Sequence, residues 1–163
     1  MYFSEVQKKP EAENCRAEDG GIRMSFTEEY STIMAEYQEE VQKVQQKRKF
    51  FDGILGIGTR PGDAHCHEVM DQKVKELCDK AAAEADTDGA AELTGAIFRA
   101  AAEWKGPEYA RLMLLAIQRH TLGLIPLLEK GKKEELSVFF EKSYPRRTRV
   151  PVQDQVLVLL KKV

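Results

Sequence analysis

The stretch Ser25-Phe-Thr-Glu-Glu-Tyr30-Ser-Thr-Ile-Met-Ala-Glu-Tyr37-Gln-Glu-Glu-Val41-Gln-Lys-Val44 decides the fold class. Its apolar residues, Phe26, Tyr30, Ile33, Met34, Tyr37, Val41 and Val44, recur three, four and seven positions apart, and Phe51 continues the series. That is the period of an α-helix with one apolar face. Ser25 followed by Glu28 supplies N-capping chemistry. The opposite face, with Glu36, Glu39, Glu40, Lys43, Lys47 and Lys49, is polar. The pattern therefore predicts a long amphipathic helix over 25–51, which needs a surface to cover its stripe.

Working outward, residues 1–24 are polar, mixed in charge and without period, and read as a tail. Residues 52–62 hold Gly53, Gly56, Gly58, Pro61 and Gly62, too dense in glycine and proline for a regular element, and read as a connector. Residues 63–163 read as a helical bundle. Asp63 can cap a helix with Cys66, Met70, Val74, Leu77, Cys78, Ala81 and Ala85 on its stripe, ending near the Asp86 to Gly89 turn. A second helix begins at Asp88 or Gly89, carries Leu93, Ile97, Ala101 and Trp104, and stops at Gly106. Pro107 opens a third that runs to about His120. Leu122 to Leu128, with Gly123 and Pro126 inside it, reads as a kinked continuation or a short helix capped by Thr121. Lys132 to Ser143 is the next helix and Pro151 opens the last. Val156 to Leu160 alone suits a buried strand, but no other segment offers it a strand partner. The expectation is an all-α protein, a bundle of about six helices. No strict repeat of about 34 residues with a tetratricopeptide signature is present.

The chain has 163 residues, 42% hydrophobic and 32% charged, with 25 basic and 27 acidic residues. This composition belongs to a globular domain and gives no global drive toward nucleic acid or anionic lipid. No run of eighteen apolar residues occurs and no signal-peptide pattern opens the chain, so a membrane is not expected as a partner. Cys15, Cys66 and Cys78 form no CxxC pair, and Cys66 and Cys78 lie about 18 Å apart along one helix. They are expected reduced, in the cytoplasm.

Chemistry-bearing residues concentrate in Asp63-Ala-His65-Cys66-His67-Glu68-Val-Met-Asp71. On a helix His67 and Asp71 share a face, as two ligands of one metal do. His-Glu-x-x-Asp has the outline of the zincin motif, with Glu68 in the general-base place, His65, His120 and Glu92 as further candidate ligands, and Asp71 replacing a histidine. The plainer alternative is a solvated helix start whose carboxylates complement the helix dipole. A di-iron carboxylate site fails, since no histidine has Glu three positions before it. The Gly53 to Gly58 stretch lacks the ending of a phosphate-binding loop. Arg146, Arg147 and Arg149 stand between Pro145 and Pro151, in a C-terminal part that carries nine basic and five acidic residues from Pro126 onward. They are the candidate anion or nucleic-acid contacts, although a nucleic-acid reader normally adds a larger excess of charge.

The reading that gathers most of these observations is a non-catalytic, cytoplasmic helical module for protein interaction or assembly, with no cofactor. Tyr30, Ile33, Tyr37, Val41 and Val44 are its expected partner-binding residues, and the expected partner is another protein or a second copy of the chain. A small metal-binding protein or metal-dependent enzyme built on His65, His67 and Asp71 is the alternative. A nucleic-acid-associated regulator using Arg146 to Arg149 is the third.

Overall fold

The computed structural model describes residues 24–55 and 64–162. The tail up to residue 23, the connector from residue 56 and the expected cap Asp63 lie outside them. Among the described residues there are six α-helices and no strand: α1 Phe26–Leu55, α2 His65–Glu84, α3 Thr87–Ala102, α4 Glu108–Ala116, α5 Lys130–Ser143 and α6 Pro151–Leu160. The fold is all-α.

Helix α1 starts where the sequence places its cap. The Glu28 amide donates to Ser25 Oγ at 3.1 Å and the Ser25 amide donates to Glu28 Oε1 at 2.9 Å, a reciprocal capping box. The helix runs on to Leu55, four residues past Phe51, so the first part of the expected connector is helical. Asp86 caps α3 by accepting from the Gly89 amide at 3.1 Å. Helix α2 ends at Ala85, whose φ of 53° is a left-handed conformation usually given to glycine.

Helix α3 is the centre of the bundle. Leu93, Ile97 and Phe98 on it are fully buried, and Ala90, Ala91 and Ala101 allow close approach of the helices around it. Helices α2 and α3 both pack against α1, burying Phe26, Tyr30, Tyr37 and Val41. Lys80 of α2 clamps the start of α1, 3.3 Å from the Glu29 carboxylate and 5.9 Å from the centre of the Phe26 ring.

The third expected helix is divided. It is α-helical only to Ala116, and Ile117–Gly123 and Ile125–Leu127 are 3₁₀ turns. Pro126 lacks the amide that would bond to the Leu122 carbonyl in an α-helix, so the α-helical ladder is interrupted there. Thr121 does not cap the second of these turns: its hydroxyl donates back to the Gln118 carbonyl at 2.7 Å. The tighter winding turns Gln118 and Thr121 into the core and packs the segment against α2 and α6.

Candidate functional site

The three histidines go three ways. His65, in the first turn of α2, projects into solvent with its side chain 83% exposed, 3.6 Å from the Glu68 carboxylate. His67 is buried, and its Nδ1 shares a 2.7 Å hydrogen bond with the Tyr37 hydroxyl of α1. Its ring meets Tyr37 and Tyr109 edge-on at 5.5 and 5.8 Å. Burial pushes the Tyr37 hydroxyl well above its ordinary range, so it stays protonated and can donate to that nitrogen. Asp71, one turn further along α2, faces the 3₁₀ segment instead. It accepts from Arg119 Nη2 at 2.8 and 2.9 Å and lies 3.0 Å from His120 Nε2.

This distribution separates the side chains that the metal alternative brings together. His67 and Asp71 share a helix face as expected, but each is committed to a different neighbour, and His65 stands about 200° round the helix from His67. Glu68 is exposed, its carboxylate 3.6 Å from His65 Nδ1. Among the described residues no group of three or more His, Cys, Asp or Glu side chains is placed to hold a metal ion. His120, a further candidate ligand in the sequence, has the Asp71 carboxylate as its partner.

The arginine loop is also less open than its sequence. Arg146–Thr148 forms a 3₁₀ turn from which Arg146 and Arg147 project. Arg149 folds back, its Nε 3.3 Å from Asp154 Oδ1 in an ion pair and its Nη1 3.5 Å from the Tyr144 carbonyl. Two guanidiniums, not three, face solvent.

The stripe of α1 splits in the same manner. Tyr30, Tyr37 and Val41 are 2%, 2% and 1% exposed beneath the chain's own helices, so the stripe expected to meet another chain is mostly covered within this one. Ile33 and Val44 stay half-buried. They open onto a groove of about 480 Å³ between α1 and α2, whose other wall carries Cys66, Val69 and Met70. Glu36, Glu39 and Glu40 rim the groove on α1, and Lys73 on α2 donates to Glu36 Oε1 at 2.8 Å. Val69 is 37% exposed on the groove wall. Partial burial, with the Glu40 carboxylate adding to it, raises the Cys66 thiol, which keeps it protonated and a poor nucleophile.

One polar group has no signature in the sequence. Gln118 donates to the Tyr144 hydroxyl at 3.2 Å, that hydroxyl donates to the Phe98 carbonyl, and Gln153 donates to Gln118 Oε1 at 3.2 Å. The Val150 amide donates to Gln153 Oε1 at 3.1 Å. Both glutamines are fully buried, and burial pushes Tyr144 up to about 12. Every link uses a neutral group, so the chain ties α3, the 3₁₀ segment and α6 together without a buried charge.

No protein-family model, curated protein or solved structure matches this chain.

Proposed function

We propose that this chain is a non-catalytic helical module that binds another protein through the groove between α1 and α2. The observation that carries the reading is the groove's make-up: apolar side chains of Ile33, Val44 and Val69 reach solvent together, inside a rim of carboxylates and one lysine. Clustered apolar surface with a charged rim is the anatomy of a recognition site for a helix or a chain segment.

Several side chains of the competing enzyme reading have partners within the chain. Asp71 is held by Arg119 and His120, His67 is bonded to Tyr37, and the Cys66 thiol is held protonated. The nucleic-acid reading keeps only Arg146 and Arg147 of its three cations. Cys66 and Cys78 are free thiols, which favours a reducing compartment such as the cytoplasm. No helix among the described residues is long and apolar enough to cross a membrane.

Site-specific photocrosslinking in the cell that makes the protein tests the reading. A photoreactive side chain at Val69 is expected to give a discrete protein adduct, lost when Ile33→Glu charges the groove. The same group at Val138, which is 67% exposed on α5, serves as the control and is expected to give none. Equal adducts at the two positions, or none at Val69, would overturn the proposal.

A further inference from the structure

Along α1, Ile33, Glu36 and Glu40, which line the groove, are followed by Lys43 and Lys47, the five succeeding each other at spacings of three, four, three and four residues. That is the rhythm of a seam between two helices wound around each other. Val44 flanks the seam and opens onto the same groove as Ile33. Charge is divided along it: both glutamates stand in its first half and both lysines in its second. A face that is acidic at one end and basic at the other is complementary to itself turned end for end.

Resting on the reading of the groove as an interaction surface, we infer that its occupant is a second copy of this chain, with the two α1 helices antiparallel about a twofold axis. An axis midway between positions 40 and 43 sets Glu36 opposite Lys47 of the second copy and Glu40 opposite Lys43 of the second copy. Each match occurs twice, as in any isologous contact. The 2.9 Å pair between Lys43 and Glu40 within one chain then becomes part of a ring of four alternating charges around the axis. Glu36 keeps Lys73 of its own chain on one oxygen and offers the other to the second copy. A parallel arrangement would oppose like charges, which disfavours it. The half-buried Val44, beside the axis in both copies, supplies an apolar contact that exposed ion pairs alone do not.

The seam makes its own test, because its two halves can be reversed separately. Glu36→Lys with Glu40→Lys makes the four charged seam positions basic; Lys43→Glu with Lys47→Glu makes them acidic. Sedimentation equilibrium on the full-length chain is expected to give a dimer of the 18.5 kDa subunit for the natural sequence. Each double variant alone is expected to dissociate with a constant raised at least about 10-fold, since four attractive contacts become repulsive. Mixed in equal amounts, the two variants are expected to dimerise again, a rescue that a folding defect cannot produce. A natural chain that stays monomeric at about 100 μM, variants that still dimerise alone, or a mixture that does not recover would each overturn the inference. The Val69 crosslink separates the two levels: an adduct with a different protein from a monomeric chain removes the self-pairing and leaves the interaction module, whereas no adduct removes both.

Discussion

The groove between α1 and α2 and the amide network beneath α3 handle polar groups in opposite ways. In the network each amide and hydroxyl finds its partner inside the chain: Gln118 bridges Tyr144 and Gln153, and Tyr144 reaches the Phe98 carbonyl. In the groove the charged groups are exposed and pair along the surface, while apolar side chains between them stay open to water. A closed network contributes to the uniqueness of the fold and has nothing left to offer a ligand. An open apolar floor contributes little to the folded chain and keeps its binding capacity for something else. The contrast separates the residues that hold this protein together from those proposed to engage a partner.

The largest expected effect lies in the network. Gln118→Leu leaves the Gln153 amide and the Tyr144 hydroxyl each short of a buried partner, and is expected to cost about 3 kcal/mol in chemical denaturation. A loss below about 1 kcal/mol would show that water replaces the amide and that the network is not closed.

Next comes the turn between α3 and α4. A Cβ on Gly106 would stand 2.6 Å from the Trp104 ring, whose Nε1 donates to the Pro107 carbonyl at 3.1 Å. Gly106→Ala is expected to cost about 2 kcal/mol by overpacking. At Gly123, where a Cβ meets nothing within 4 Å, the same change is expected to be neutral or to stabilise by about 0.5 kcal/mol. Thermal melts of the two variants give the comparison directly.

Burial also sets an alkaline limit. It pushes the Cys78 thiol from 9.0 up to about 12 and Tyr144 from 10.0 up to about 12. Between those values the unfolded chain has released protons that the folded chain retains, so stability falls as pH rises. Full stability is expected below pH 9, with a decline that begins as Cys78 would ionise, steepens above 10, and continues toward 12. Each group sets a slope of at most about 1.4 kcal/mol per pH unit. Cys78→Ala reduces the earliest part of the pH dependence, to which the raised Cys66 thiol also contributes. Melting temperatures unchanged between pH 8 and 11 would contradict this cause.

The smallest expected effect sits in the groove. Val69→Glu is expected to change stability by less than about 0.5 kcal/mol, because Val69 contributes little to the core, while removing the photocrosslink at a second groove position such as Ile33. A stability loss comparable to that of Gln118→Leu would place Val69 among the structural residues and dissolve the distinction between the two regions.

The distinction is only partly legible in the sequence. Periodicity exposes the helices because each apolar stripe is a local pattern, and the Ser25 and Glu28 cap is a local motif. The 3₁₀ winding from Ile117 to Gly123 is hidden, since the segment packs against α2 and α6, which lie far from it in sequence. The pairing of Asp71 with His120 spans 49 residues, and that of Tyr144 with Phe98 spans 46. Contacts of that range leave no trace in spacing. The same limit governs the α1 stripe: its period reveals an apolar face, but not that the chain's own α2 and α3 cover Tyr30, Tyr37 and Val41 and leave Ile33 and Val44 at the groove.

Hydrogen exchange measured over a series of protein concentrations tests the central claim most directly, because it reads both regions in one experiment. Helical amides exchange through local opening, and an occupied surface opens less often. As the concentration rises from about 1 to 100 μM, protection is expected to increase over residues 33–47 and 65–73, the two walls of the groove. Amides around Phe98, Gln118 and Gln153 are expected to exchange at one unchanged slow rate throughout. Protection that grows on α5 and α6 while the groove stays unchanged would contradict the account.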